Sequence, residues 1–216
     1  MLDVTMLTVG PLQENCFIIR RPDAPTAVVV DPGDEGARIL ATLQSLGVTR
    51  LEAILLTHTH FDHVGAVAEL ARATGAPVYC PELEVEVLAN INEFVRFPGF
   101  GPFEEYAADE TVTGGETLEL AGMSFAVTFT PGHSPGHVSY KVAGEPALFS
   151  GDVLFQGSVG RVDLPGGDWP TLLGSIETLV RAYPADTTVH PGHMGLTTLG
   201  AEQATNPFLR ELAHQN

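Results

Sequence analysis

Residues 51–65 contain the densest set of potential metal ligands in the sequence: His58, His60, Asp62 and His63. They follow an apolar run and precede a small-residue pattern over 64–73 that is typical of a helix. Imidazole and carboxylate together suit zinc, iron or manganese better than calcium or magnesium. Protonated imidazoles so close together would repel one another, so neutral rings on a metal are the better interpretation. The alternative, a polar loop that is rich in histidine by chance, does not explain the agreement of ligand type, spacing and strand context.

Three further predicted strands end in potential ligands. These are His133 after the strand at 123–130, Asp152 after the strand at 146–150, and His193 after the strand at 186–189. One histidine at a strand end is usually incidental. Four strand ends that each present His or Asp are explained more simply by one shared metal site.

Hydrophobic periodicity and turn residues predict the elements that must position these side chains. The other predicted strands are 3–9, 15–20, 27–30, 51–56, 77–80, 117–120 and 137–142, and the predicted helices are 35–46, 64–73, 82–91, 168–182 and a stretch from 199 onward. Hairpins with helices at intervals favour helices that cover packed sheets. Without a repeat or an interdomain linker, we predict a single domain over 1–216, with no separate C-terminal helical domain.

The aromatic segment 94–106 does not fit a helix or a strand, because its aromatic residues are interspersed with Gly and Pro. It is either a lid or pocket wall beside the site or a loop packed on the core, and the sequence leaves both open.

The composition excludes some classes of function. The chain has 216 residues, with ten Lys and Arg against 27 Asp and Glu, for a net charge of −17. This balance argues against nucleic-acid and anionic-membrane partners, which require clustered positive charge. The N-terminus lacks the pattern of a signal peptide and no apolar run is long enough to span a bilayer, so we expect a cytoplasmic protein. Cys16 and Cys80 are expected to be buried free thiols. The oligomeric state is left open.

The order His58-x-His60-x-Asp62-His63, then His133, Asp152 and His193, resembles the metallo-beta-lactamase superfamily. Asp31, after the third predicted strand, completes the pattern. The resemblance implies an α+β fold, an αββα sandwich of two mixed β-sheets flanked by helices, with two metals at one edge.

The same resemblance implies roles for the individual residues. His58, His60 and His133 would hold one metal, Asp62, His63 and His193 the other, and Asp152 would bridge both. Asp62 and Asp152 are the expected catalytic carboxylates. Zinc is the expected metal, with iron or manganese as alternatives. Redox di-iron members of the superfamily look like His-x-Glu-x-Asp, and the histidine at position 60 therefore favours hydrolysis.

Three histidines match no ligand position in this pattern. His137 is expected either to orient a ligand from behind or to pack below its loop. We expect His190 to be a packing residue and His214 to lie on the surface.

Segments 157–168 and 198–209 resemble the short bacterial hydrolases of glyoxalase II type. That resemblance implies that a metal-bridging hydroxide cleaves a small-molecule thioester, S-lactoylglutathione or a related acyl-thiol. Full-length glyoxalase II has a helical C-terminal domain that supplies basic residues, whereas the tail here has only Arg210. Glutathione specificity is therefore not implied. Arg161 is a candidate either for binding an anionic substrate group or for a structural salt bridge.

The segment Gly160-Arg161-x-Asp163 also resembles the persulfide dioxygenases of the same superfamily. Those enzymes use one iron on the equivalents of His58, His133 and Asp152. A mononuclear-iron persulfide dioxygenase is therefore the alternative activity. A third interpretation, a metal-binding protein without catalysis, would leave an open cationic site unused.

Overall fold

Two six-stranded β-sheets form the centre of the protein in the computed structural model, which describes residues 2–95 and 97–209. The first sheet contains β1 (Asp3–Val9), β2 (Glu14–Arg20), β3 (Thr26–Val30), β4 (Arg50–Leu55), β5 (Val78–Pro81) and β6 (Glu110–Val112), in that order. Its first three strands pair antiparallel, and β3 to β6 run parallel. The sheet is therefore mixed.

The second sheet is also mixed. It contains β7 (Thr117–Leu120), β8 (Met123–Phe129), β9 (Val138–Val142), β10 (Ala147–Gly151), β13 (Thr188–Pro191) and β14 (Thr197–Thr198), in the order β14-β13-β10-β9-β8-β7. Only β10 and β13 pair parallel. A separate short hairpin joins β11 (Leu154–Phe155) to β12 (Ser158–Val159).

Helices cover the outer faces of both sheets. They are α1 (Gly36–Ser45), α2 (Phe61–Val64), α3 (Val67–Thr74), α4 (Val85–Ala89), α5 (Ile91–Phe94), α6 (Trp169–Ala182) and α7 (Leu199–Thr205), with 3-10 turns at Glu82–Glu84 and Pro207–Leu209. The Asp168 side chain accepts a hydrogen bond from the Thr171 amide and so caps the first turn of α6. None of the helices in the described ranges is long and apolar enough to cross a membrane.

The two sheets and the helices on their outer faces make four layers. Three apolar clusters fill the interfaces between these layers. Phe17 and Leu55 of the first sheet pack with Tyr140 and Phe149 of the second, in the layer between the sheets. Neighbouring residues of the same strands, such as Ile18, point to the opposite face and pack under α1, α3, α4 and α5, because side chains alternate along a strand. A third cluster packs α6 and α7 on the outer face of the second sheet. The α+β class and the αββα layer order are therefore confirmed.

Several predicted boundaries were wrong. The helix expected over 64–73 is divided between α2, which ends at Val64, and α3, which begins at Val67, because the backbone leaves helical geometry at Ala66 (φ −103°, ψ 3°). The helix expected over 82–91 begins as a 3-10 turn and is broken at Asn90. Strands β6, β11, β12 and β14 were not predicted, because runs of two or three residues carry no period.

Cys16 and Cys80 are buried and free, as expected. Arg210 and His214 lie outside the described residues.

Candidate metal centre

The loops that follow four strands meet at one edge of the sandwich and bring together all seven predicted ligands. His58 and His60 follow β4, and Asp62 and His63 belong to the first turn of α2. His133 lies in the loop after β8, Asp152 directly follows β10, and His193 follows β13. Both sheets therefore contribute to one site.

Three imidazoles converge in the first half of this site. His60 Nδ1 lies 3.1 Å from His58 Nε2 and 2.8 Å from His133 Nε2. One potential ligand atom from each ring falls within 4.8 Å of the other two. Such spacing is what a single metal ion requires of three histidine ligands.

The hydrogen bonds that His133 and His58 make through Nδ1 determine which nitrogen of each ring carries the hydrogen. His133 Nδ1 donates to the carbonyl oxygen of Arg161 (2.7 Å), so its Nε2 carries a lone pair. The Thr57 hydroxyl donates to Asp31 Oδ2 (2.6 Å) and must therefore accept from His58 Nδ1 (3.0 Å). His58 Nε2 then also carries a lone pair. Two lone pairs face His60 Nδ1, which could donate to only one of them, and a metal ion would satisfy all three nitrogens.

The protonation states agree with this arrangement. Burial lowers the pKa of His58 well below its ordinary value, and the nearby His63 and His60 add to the effect. Burial likewise lowers the pKa of His60 to about 4. Both rings are therefore neutral at pH 7, the form that binds metals.

Asp62, His63 and His193 form the second half of the site, again with one potential ligand atom each within 4.8 Å of the others. Burial alone would lower the pKa of His63, but Asp152, Asp31 and Asp62 raise it well above its ordinary value. These carboxylates therefore favour a positive charge at this position. A bound metal cation would supply that charge.

The Asp152 carboxylate lies between the two halves. Its Oδ2 is 3.4 Å from His133 Nε2, and its Oδ1 is 3.4 Å from His63 Nε2. Within the described ranges, His63 Nε2 and Asp152 Oδ1 are buried without any hydrogen-bond partner. Two buried polar atoms that face each other without partners are costly unless something else binds them. The residues therefore fit divalent metal ions.

Asp31 supports the ligands from below. Its Oδ1 accepts from the Thr57 amide (2.8 Å), and its Oδ2 accepts from His63 Nδ1 (3.1 Å) as well as from the Thr57 hydroxyl. One carboxylate thus orients His63 directly and His58 through Thr57. Supporting hydrogen bonds of this kind fix the tautomer and the orientation of metal-binding histidines.

His137 lies behind Asp152 and is buried. Its Nε2 accepts a hydrogen bond from the Asp152 amide (3.1 Å), and its Nδ1 pairs with the Thr130 hydroxyl (3.0 Å). Burial lowers the pKa of His137 well below its ordinary value, which keeps Nε2 free to accept. Gly151 makes this approach possible, because a Cβ atom there would lie 2.5 Å from His137 Nε2. His137 is thus placed to orient Asp152.

Glu84 is a buried carboxylate that sequence reasoning missed. Its Oε2 accepts from the Thr59 hydroxyl (2.6 Å), while its Oε1 accepts from the Ser134 hydroxyl (2.7 Å) and the Gly136 amide (2.9 Å). It therefore joins the loop of His58 and His60 to the loop of His133. A glutamate in the first turn of a predicted helix gives no sequence signal of such a role.

A cavity of about 460 Å³ opens over the site and is lined by His60, Asp62, His133, Asp152 and His193 together with apolar residues. Arg161 also lines it, but its guanidinium makes two hydrogen bonds to Asp163, at 2.6 and 2.7 Å. The structure thus shows the salt bridge that was one of the two expectations for Arg161.

The 94–106 segment fulfils both of its expected roles. Phe97 and Phe100 line the cavity, and Phe103 packs against the apolar cluster under the helices of the first sheet. Asn92 fixes the position of this segment through hydrogen bonds with the amide and carbonyl groups of Phe103.

His190 does not join the site, as expected. It is buried against Phe149, with ring centroids 4.7 Å apart, and against the edge of Phe17 at 5.4 Å. It is a packing residue of the layer between the sheets.

Comparison with known proteins agrees with this fold. A sequence profile of the Metallo-beta-lactamase superfamily matches residues 9–193. The chain therefore belongs to the metallo-beta-lactamase superfamily, and its class is that of the metallo-hydrolases.

Particular relatives are similar over nearly their whole length. The chain is 34% identical to "Hydroxyacylglutathione hydrolase GloC" of Haemophilus influenzae, with 96% of this chain and 98% of that protein covered. The structure of BLEG-1 B3 metallo-beta-lactamase is 41% identical, with a TM-score of 0.90 and coverage of 96% and 100% of the two chains. The structure of TTHA1623 in a di-iron-bound form is 44% identical, with a TM-score of 0.84 and coverage of 95% and 100%.

Proposed function

We propose that this chain is a binuclear metal-dependent thioesterase of glyoxalase II type, which hydrolyses S-lactoylglutathione or a related acyl-thiol. The observation that carries the proposal is the position of Asp152, whose two oxygens each lie 3.4 Å from a histidine of a different half-site. A carboxylate so placed can contact two ions at once.

His58, His60 and His133 would hold one ion, Asp62, His63 and His193 the other, and Asp152 both. When bound, two divalent ions lower the pKa of a water molecule and polarise the thioester carbonyl group. Zinc is the metal we propose. Iron is the first alternative because the similar TTHA1623 is a di-iron-bound structure, and manganese is the second because it accepts the same ligands.

Asp62 is placed to act as the proton acceptor in this reaction. Its carboxylate lines the cavity, with Oδ2 3.3 Å from His193 Nε2. Burial alone would raise the pKa of Asp62, but the hydrogen bond from His193 and the nearby His63 lower it. The ionised carboxylate can therefore take a proton from the attacking water.

Hydrolysis forms one bond from the water oxygen to the acyl carbon and breaks the carbon–sulfur bond. The products are a carboxylic acid and a thiol. A thiol with a pKa of about 8.5 leaves without strong help from a general acid. Arg161 remains our candidate contact for an anionic group on the thiol, because an exposed ion pair is weak and a substrate carboxylate can replace Asp163.

Two other activities are alternatives. β-Lactam hydrolysis is suggested by the 41% identity to BLEG-1 B3 metallo-beta-lactamase. Persulfide oxidation on a single iron would use His58, His133 and Asp152. The close contact of His60 Nδ1 with His58 and His133 supports a three-histidine half-site instead.

The experiment counts the metal ions per chain in the protein as purified and again after the metal-free protein is loaded with zinc or with iron, and it assays S-lactoylglutathione, a chromogenic cephalosporin and glutathione persulfide. We expect two ions and hydrolysis of S-lactoylglutathione that exceeds hydrolysis of a chromogenic cephalosporin at least tenfold. Asp152→Ala should lose both metal content and activity. One iron per chain with persulfide-dependent oxygen uptake would overturn the proposal, and so would a preference for the cephalosporin.

A further inference from the structure

Apolar side chains make up most of the cavity wall above the metal centre. Beyond the candidate ligands, the lining includes Phe61, Val87, Ile91, Phe97, Phe100 and Phe155. A site that binds mainly polar metabolites would present several fixed polar groups instead.

The feature that stands out is an aromatic wall formed by Phe61, Phe97 and Phe100. The ring centroids of Phe97 and Phe100 lie 5.9 and 4.9 Å from that of Phe61. Phe61 is also the residue between His60 and Asp62, so the aromatic wall begins directly beside the reacting centre. Phe103 supports it, with its ring centroid 5.5 Å from that of Phe61.

The charges around the cavity favour a neutral group at this wall. Arg161 is the one Lys or Arg among the described lining residues, and Asp163 already binds its guanidinium bidentately. The hydrogen bond from Arg161 lowers the pKa of Asp163 to about 2. Both side chains therefore stay ionised, and their opposite charges cancel. The aromatic wall itself has no group that could recognise the hydroxyl of a lactoyl group.

We propose that the aromatic wall binds an unbranched alkyl acyl chain, so that the preferred substrates are thioesters of medium-length fatty acyl groups rather than lactoyl thioesters. This inference rests on the proposed thioesterase function. The carbonyl carbon would lie at the metal centre beside Asp62, and the alkyl chain would lie against Phe61, Phe97 and Phe100. Each methylene that leaves water should raise kcat/KM about three- to fourfold.

The test uses the zinc-loaded full chain and a series of thioesters that share one uncharged thiol, N-acetylcysteamine. The acyl groups are acetyl, butanoyl, hexanoyl and lactoyl. We expect kcat/KM for hexanoyl to exceed that for acetyl about 100-fold and that for lactoyl at least tenfold. Turnover of acetyl and lactoyl thioesters without any increase along the series would overturn this inference and leave the proposed function intact. If no member of the series is hydrolysed although S-lactoylglutathione is, this inference alone is overturned, and if S-lactoylglutathione is not hydrolysed either, the proposed function is overturned as well.

Variants tie the preference to the aromatic wall. Phe100→Ser should reduce the hexanoyl-to-acetyl ratio at least tenfold, and Phe97→Ser, at a more exposed position, provides a second variant if the first does not fold. Phe208→Ser is the matched control, since Phe208 is comparably exposed but contacts Trp169 instead of lining the cavity. An unchanged ratio in a folded Phe100→Ser or Phe97→Ser protein would overturn the proposal.

Discussion

Glu84 shows how one side chain can organise a site without being part of it. Its carboxylate accepts hydrogen bonds from Thr59 in one ligand loop and from Ser134 and Gly136 in another. These hydrogen bonds hold His60 and His133 on opposite sides of a shared metal position. Supporting groups of this kind matter because a metal site tolerates little displacement of its ligands.

Glu84→Gln should therefore weaken zinc binding about 10- to 100-fold. A glutamine side chain has one acceptor oxygen and cannot serve both loops, so a backbone N–H loses its partner, at a cost of about 1–3 kcal/mol in unfolding free energy. Zinc titration and thermal denaturation measure the two effects. Glu82→Gln is the control, because Glu82 lies exposed in the same 3-10 turn. Equal zinc affinity in the two variants would refute this role of Glu84.

His190 should make the fold sensitive to mild acid. Burial lowers its pKa to about 4, against about 6.5 in an unfolded chain, so between these values only the unfolded state binds the proton. The stability that His190 contributes is complete above pH 6.5 and is lost as the pH falls toward 4. Because of this titration, the parent protein should lose about 2 kcal/mol of unfolding free energy between pH 7 and pH 5. His190→Phe removes the titration and should not show this loss. Denaturant unfolding at both pH values measures it, and identical losses in the two proteins would refute it.

At the scale of elements, the strands that present ligands were predictable. Each is followed within four residues by a His or Asp, and β4, β8, β10 and β13 were all located within two residues of their ends. Short edge elements were not predictable, because β6 and β14 are too short to show a period and are defined only by their pairing with β5 and β13. Glu84 was missed because its partners, Thr59 and Ser134, lie 25 and 50 residues away.

The turn after β13 is a point of close approach. Gly192 lies so near the second half-site that a Cβ atom would be 2.2 Å from Asp152 Oδ1 and 2.6 Å from His63 Cε1. Its φ is not in the left-handed region, so alanine would be strained by contact alone.

We therefore expect Gly192→Ala to displace Asp152 and lower zinc affinity at least tenfold. Gly174→Ala is the matched control, because Gly174 lies exposed in α6 with open space around its Cβ position. That change should leave zinc binding intact and stabilise the fold by about 0.5–1 kcal/mol. Metal counting of both variants measures zinc binding, and thermal denaturation measures their stability. Full zinc occupancy in Gly192→Ala would show that Asp152 is not held at this position.

At the scale of the whole molecule, the metal centre joins the two halves of the sandwich. His58, His60, Asp62 and His63 follow a strand of the first sheet, and the other three candidate ligands follow strands of the second. Among the residues that the structure describes, no group donates to or accepts from the buried His63 Nε2 and Asp152 Oδ1. Bound ions would satisfy both and link the sheets.

Zinc should consequently raise the melting temperature of the whole fold. At a free zinc concentration about 1,000 times Kd the gain is about 4 kcal/mol, which is about 10 °C for a chain of this size. Calorimetry of the chelator-treated protein with and without zinc measures it, with Asp152→Ala as a control that should shift much less. Equal melting temperatures in the treated and reconstituted parent would contradict a metal link between the sheets.

The superfamily, the layer order and the convergence of seven side chains were all predictable, since they depend on strand-end motifs. The walls of the cavity were not, because the 94–106 segment has no periodicity and its contacts with Phe61 are tertiary. The single domain, the cytoplasmic location and the ligand roles themselves remain predictions.

The proposed function requires that these seven residues form one binuclear centre bridged by Asp152. An anomalous difference map, measured at the zinc edge on a crystal of the zinc-loaded protein, tests it most directly. We expect one peak on each side of Asp152, the first among His58, His60 and His133 and the second among Asp62, His63 and His193. The absence of a peak at these residues, or a single peak without Asp152 as a ligand, would contradict it.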